Sequence, residues 1–194
     1  MELTELLDKI RSHFVERLLE AIADERAGSD ATVVHEPILR NGRGEIVRAG
    51  PLETPSRIDI VKAKDGEVIE SLNVDTGQML SFAPFDFTWP SNELSVTIEP
   101  FQWNWLQLQT TAAPAADQWR VMQQWYLKWF GESDPAMDQL AGAVHFFDDP
   151  RIDGAEIELT IDMGTAPVDA LEELLDAAGA LGAEAVRIGH FPRP

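Results

Sequence analysis

Five of the six tryptophans, the only tyrosine and two phenylalanines fall between Phe101 and Phe130, in the run FQWNWLQLQTTAAPAADQWRVMQQWYLKWF. Each such ring removes roughly 150–250 Å² from water when buried, so whatever this stretch packs against becomes the core. The run reads as a strand over 101–109, a linker, and an amphipathic helix over 115–130 that stops at Gly131. In the strand, Phe101, Trp103 and Trp105 share a face with Gln107 and Gln109, while Leu106 and Leu108 take the other. The apolar face therefore switches near Trp105, which predicts a bulge or a strand buried differently at its two ends. In the helix, Trp119, Met122, Tyr126, Trp129 and Phe130 form one face, and Val121 with Trp125 form a second, smaller apolar patch. A helix apolar on two sides is either sandwiched or offers a patch to a partner, so Trp125 is a candidate interface anchor.

The rest of the chain supplies elements for that core. Leu3, Leu6, Leu7, Ile10, Phe14, Leu18, Ala21 and Ile22 recur at helical spacing over 3–26, with Gly28 as the stop. Three hairpins follow. The first spans 32–49 around Asn41–Gly44. The second pairs RIDIVKA with EVIESLNV around Lys64-Asp65-Gly66. The third runs from Gln78 to Trp89, turns at Pro90-Ser91-Asn92 and returns from Leu94 to Thr110. Pro37 cannot donate to a ladder, so the first strand is expected at an edge or a bulge. Further on, strands at 144–148 and 156–163 flank the turn Asp149–Gly154. A helix starts at Thr165 and Pro167 with Val168, Leu171, Leu174, Leu175 and Ala178 inward, and a last strand covers 185–190. Strand, helix and strand so close together predict a βαβ unit with a parallel pair. The expected fold class is α+β: an antiparallel meander of about six strands with packed helices, then a C-terminal β-β-α-β unit. The length fits a single domain over 1–194, and the linker-like TAAPAA (111–116) marks the place for a subdivision into 1–111 and 112–194.

The charge excludes several function classes. The chain has 15 Lys+Arg against 34 Asp+Glu, a formal net charge of −19. The acids are spread over both halves, so the surface as a whole repels nucleic acid and anionic membranes and attracts basic partners. There is no cysteine, which removes disulfides and thiolate chemistry and suits a reducing compartment. The start mixes acids and bases without an apolar run, and no stretch reaches the length of a membrane span, so the expected location is cytoplasmic.

Period two in β-strand 156–162 puts Glu156, Glu158 and Asp162 on one face and Ile157, Leu159 and Ile161 on the other. The adjoining turn adds Asp148, Asp149 and Asp153. These six acids, with Trp125, are the candidate partner-binding residues, because a strongly negative face accelerates docking of a basic protein. The alternative for them is a solvated strand face. The four histidines, His13, His35, His145 and His190, show no metal-ligand spacing. His145 beside Asp148 and Asp149, and His35 beside Glu36, are the nearest approaches to one, and no metal or cofactor site is expected. GxSxG, GxGxxG and GxxxxGK[ST] are all absent. Gly164-Thr165 offers backbone amides before a helix, but Asp162 beside them would repel an anion.

The run IELTIDMGTAPVDALEELLDAAGALGAEAVRIG (157–189) resembles the closing strand–helix–strand of small bacterial immunity-type proteins. The likeness rests on an acid–Gly–small–Ala–Pro turn before an acidic helix and carries over no functional residue. It implies an acidic protein that binds a basic toxin domain and performs no chemistry of its own. The leading expectation is therefore a non-catalytic acidic protein that docks a basic protein partner. The rival is an enzyme or small-ligand protein with a pocket between meander and aromatic helix, lined by Gln107, Gln109, Gln123 and Gln124.

Overall fold

The computed structural model describes residues 2–28, 30–50, 52–112, 114 and 118–191. The class is α+β. Its centre is a seven-stranded sheet built from β6 (Phe85–Trp89), β7 (Leu94–Ile98), β8 (Leu106–Thr111), β9 (Phe146–Phe147), β10 (Arg151–Asp153), β11 (Glu156–Asp162) and β12 (Ala185–Gly189). The strand order is β10-β11-β8-β12-β7-β6, with β9 also pairing β11. The register aligns Leu159, Leu108, Ile188, Ile98 and Phe85 in one row across five strands. The next row is Glu158, Gln109, Arg187, Thr97 and Asp86. One face is thus apolar and covered, and the other is polar and open, as alternation in a one-sided sheet requires.

Helix α1 (Leu3–Gly28) buries Leu6, Leu7, Ile10, Phe14, Leu18 and Ile22. It packs on β1 (Thr32–His35) and on α3 (Val168–Ala180), and its Arg11 donates to the carbonyls of Thr165 and Ala166 at the entrance to α3. The α3 stripe of Leu171, Leu174, Leu175 and Ala178 is buried as its spacing predicts. Trp89 of β6 donates its indole N–H to Asp176 of α3, which places α3 over the apolar face. Helix α2 (Arg120–Phe130) ends at Gly131, whose φ of 65° suits a residue without a side chain. The first residues of a helix expected from 115, and part of the linker 111–116, lie outside the described residues.

The hairpins are distributed among three sheets instead of forming one continuous meander. β4 (Ile60–Lys64) and β5 (Glu67–Leu72) turn through Asp65 and Gly66, both at positive φ (53° and 84°), the backbone of a tight hairpin turn. β1 then pairs with β4, giving a separate sheet β1-β4-β5. The Asn41–Gly44 turn closes only a short ladder, and β2 (Arg48–Ala49) leaves it to pair with β3 (Thr54–Pro55). β6 and β7 form the third hairpin at the far edge of the large sheet.

Two local expectations are corrected. The stretch 101–109 is not one strand: Trp105 N–H donates to the Gln102 carbonyl, so the chain reverses before β8 begins. Trp103 is buried while Trp105 is 41% exposed, which is the origin of the switching apolar face. β11 and β12 run parallel but are not neighbours, because β8 lies between them and is antiparallel to both. β12 finds its parallel partner in β7 instead. The apolar Leu106 and Leu108 of β8 match the inward faces on either side, and antiparallel pairing is slightly the more stable. Elements from before and after residue 112 consequently share one sheet.

Candidate functional site

The largest concentration of buried ionisable groups lies where the two main sheets meet. β1 and β4 pair with His35 opposite Ile60, so the residue after β1, Glu36, sits beside the residue before β4, Asp59. Their backbones are joined, Glu36 N–H to the Asp59 carbonyl at 2.8 Å. On the other side, β9 pairs with the end of β11, and His145 N–H donates to the Asp162 carbonyl at 2.9 Å. Four strand ends thereby bring Glu36, Asp59, His145 and Asp162 together.

The His145 ring is held from both sides. Its Nε2 lies 2.7 Å from Glu36 Oε1, and its Nδ1 lies 2.9 Å from Asp59 Oδ1 and 3.9 Å from Asp162 Oδ2. Glu36 also accepts the Thr165 hydroxyl at 2.5 Å and the Ala141 N–H at 2.7 Å. Asp59 Oδ2 accepts Val74 N–H, and Asp162 Oδ1 accepts Gly164 N–H. Gly164 lets the turn pass the ring: a Cβ there would stand 2.2 Å from His145 Cδ2 and 2.5 Å from the Ala143 carbonyl oxygen. Arg57 completes the cluster. Its guanidinium donates to the carbonyls of Phe130, Glu36, Gly131 and Ser133, tying the end of α2 to the second sheet.

The electrostatics follow from these contacts. Burial pulls the His145 imidazole down, but the hydrogen bonds to Asp59 and Glu36 and the charges of Asp162 and Asp59 outweigh it and push it up to about 10. Burial raises Glu36, yet its hydrogen bond to and attraction by His145 hold it below the usual carboxylate range. Asp162 is pushed up, first by burial and then by Asp59 and Glu36, against the opposing pull of His145.

Tyr126 of α2 reaches the same junction, donating to the Pro55 carbonyl at 2.5 Å with the His145 carbonyl 3.2 Å away. Burial pushes its hydroxyl well above the ordinary range. Tyr126→Phe removes a buried donor while keeping the ring against Phe130 and Phe147. It is expected to cost about 1–2 kcal/mol in chemical denaturation. A neutral substitution would show that the hydroxyl does not hold β3 to this junction.

His145 therefore joins Glu36, Asp59 and Asp162 and does not pair with Asp148 and Asp149. His35 is buried apart from them, at 2.8 Å from the Gln139 carbonyl. The signal in the sequence was the inward side of the second hairpin, where Arg57 and Asp59 share a face with Val61 and all three are buried. Polar residues on a buried face need partners.

The other candidate residues are dispersed. Asp153 and Glu156 face each other across β10 and β11 and are exposed. Glu158 is half-buried and accepts from Gln109. Asp148 and Asp149 are half-buried in the turn after β9, where Asp149 packs against Gly50. Asp162 belongs to the histidine cluster. Trp125 is 5% exposed and donates to the Ala170 carbonyl of α3 at 2.8 Å, so it is a core residue and not an exposed anchor. The buried stripe of α2 is Met122, Trp125, Tyr126 and Phe130. The small Ala170 on the facing helix makes room for the indole, which rotates the inward face away from Trp119 and Trp129.

The four glutamines proposed for a pocket do not converge. Gln107 accepts Phe191 N–H, Gln109 donates to Glu158, Gln123 donates to the Leu52 carbonyl, and Gln124 is exposed on α2. Among the described residues, a pocket of about 240 Å³ lies between α1 and the second sheet, with Glu20, Asp24, Glu25 and Asp75 in its wall. A cavity of about 10 Å³ separates Phe14 from Trp103. No helix of the described residues is long and apolar enough to cross a membrane. Compared with known proteins, the chain matches no family model, no curated protein and no solved structure.

Proposed function

We propose that the chain is a non-catalytic binding protein that docks a basic protein partner at the corner formed by β9, β10 and β11. One observation carries this reading. Among the described residues, Lys9, Arg17, Arg40, Arg48, Lys62, Lys64, Lys128 and Arg187 are each engaged by a carboxylate. By contrast, Asp148, Asp149, Asp153, Glu156 and Glu158 form no ion pair with any described cation and gather on one edge of the large sheet. Arg151 of β10 stands opposite Glu158 and is the one described cation on these strands. Ile152, 60% exposed, and Phe146, 39% exposed, lie on opposite faces of the same edge. An edge on which five acids face one cation is the chemistry that receives a Lys- and Arg-rich surface. The likeness of 157–189 to immunity-type proteins points to a toxin domain as that partner, met in the cytoplasm.

Among the described residues, His145 is fully enclosed and lines neither of the two pockets described above. The test is affinity capture from the native host at about 50 mM and about 500 mM salt, using the wild type and the pair Asp153→Lys/Glu156→Lys. A basic protein retained by the wild type at low salt, released at high salt, and bound at least about tenfold more weakly by the pair is the expected result. The same charge reversal at Glu16 and Asp24 on α1 serves as control. Capture of no basic protein, or equal loss in the control, would overturn the proposal.

A further inference from the structure

We infer that Asp59, His145 and Asp162 are the ligands of a divalent transition-metal ion, with Glu36 orienting the histidine from behind. The argument starts at Nε2. Glu36 accepts from Thr165, from Ala141 and from the ring, and a carboxylate receiving three donors is ionised. The Nε2 atom therefore carries the hydrogen, and Nδ1 faces two carboxylate oxygens, Asp59 Oδ1 and Asp162 Oδ2. An imidazole lone pair cannot face a carboxylate oxygen 2.9 Å away without a positive species between them. That species is a proton or a metal ion.

The geometry favours the metal. In each aspartate the second oxygen is occupied by a backbone N–H, Val74 for Asp59 and Gly164 for Asp162, so a single oxygen of each is left to ligate. The three ligand atoms lie within 4.8 Å of one another. Bonds of about 2.0–2.2 Å to a zinc-sized ion reach that spread with shifts of a few tenths of an ångström. A histidine whose distal nitrogen is tied to a carboxylate is the usual support of a metal-bound imidazole.

One nitrogen and two carboxylate oxygens suit zinc and its neighbours, whereas calcium and magnesium prefer oxygen alone. The Asp162 side chain is 22% exposed, against 0% for His145 and 2% for Asp59, which gives the ion an entry side.

This inference stands apart from the partner surface and is tested without it. The full chain is stripped with a chelator, and zinc is titrated against a chromophoric competitor and by calorimetry. One zinc per chain, with Kd below about 1 μM, is expected for the wild type. Asp162→Asn, chosen because this residue is the least buried ligand, is expected to raise Kd at least about 100-fold with an unchanged circular dichroism spectrum. Asp153→Asn, on the surface, is expected to bind as the wild type does. Zinc should raise the Tm of the wild type by several degrees and leave that of Asp162→Asn unmoved. No stoichiometric uptake by the folded wild type would overturn the site and leave the proton as the buried cation. Weak multisite uptake unaltered by Asp162→Asn would identify the surface acids as the binders and overturn it equally.

Discussion

His145→Ala is expected to lower the unfolding free energy by about 3–5 kcal/mol, a large share of what holds a typical domain folded. The imidazole stands between Glu36 and Asp59, both buried, and the bond to each is under 3 Å. Truncation strands two carboxylates in the interior, and it also opens a void beside Gly164. Little of this loss comes from the pair's net attraction. Most of it is the cost of leaving charges without a partner in a medium that solvates them poorly. The prediction therefore has a signature. Adding Glu36→Gln removes one stranded charge, so the double variant should be more stable than His145→Ala alone. Urea unfolding of both variants measures the difference. Strictly additive losses, or a single-variant cost below about 1 kcal/mol, would show that the cluster does not join the two sheets.

Gly164→Ala is expected to be nearly as damaging, at about 2–4 kcal/mol, for a steric reason. The residue has a φ of 50°, which costs a non-glycine residue about 1 kcal/mol. The new methyl also falls 2.2 Å from the His145 ring and 2.5 Å from the Ala143 carbonyl oxygen. Neither neighbour can retreat, since the ring is fixed by two carboxylates and the carbonyl receives Ala166 N–H. Overpacking of this kind costs about 1–3 kcal/mol more. Gly142→Ala is the control: its φ is 63°, but a methyl there meets nothing within 4 Å. It should cost about 1 kcal/mol. Thermal melts that place the two variants together would refute the contact argument and leave only backbone strain.

The parts of the fold that were legible in the sequence are those written in local periodicity. The stripe of α3, the alternation of β11 and the Asp65-Gly66 turn are each determined by residues within a few positions of one another. The pairing of strands is not written that way. Nothing around Leu106 announces that it will separate β11 from β12, because that choice depends on matching apolar faces across the whole sheet. The reversal between Gln102 and Trp105 was hidden because both tryptophans read alike until one is buried and the other is not. The cluster was hidden for the same reason. His145 and Glu36 are 109 residues apart, so no short motif contains them. What was visible was only its local shadow, polar residues at Arg57 and Asp59 on the side of a hairpin meant for the core. The exposed acids of β10 and β11 were legible because they lie in one turn and one strand.

The placement of β8 has a kinetic consequence. The C-terminal strand–helix–strand cannot close on itself, since its two strands leave a gap that only an earlier segment fills. β12 must also find β7, with Ala185 opposite Ser95, across most of the second half of the chain. Such pairings carry a loop-closure cost before any contact rewards them, so folding should be slow for a chain of this size. During synthesis the β6–β7 hairpin emerges with its inner edge bare, and it stays so until the last strand arrives. That edge carries Leu94, Val96 and Ile98, and it is the segment at which a nascent chain is most exposed to intermolecular strand pairing.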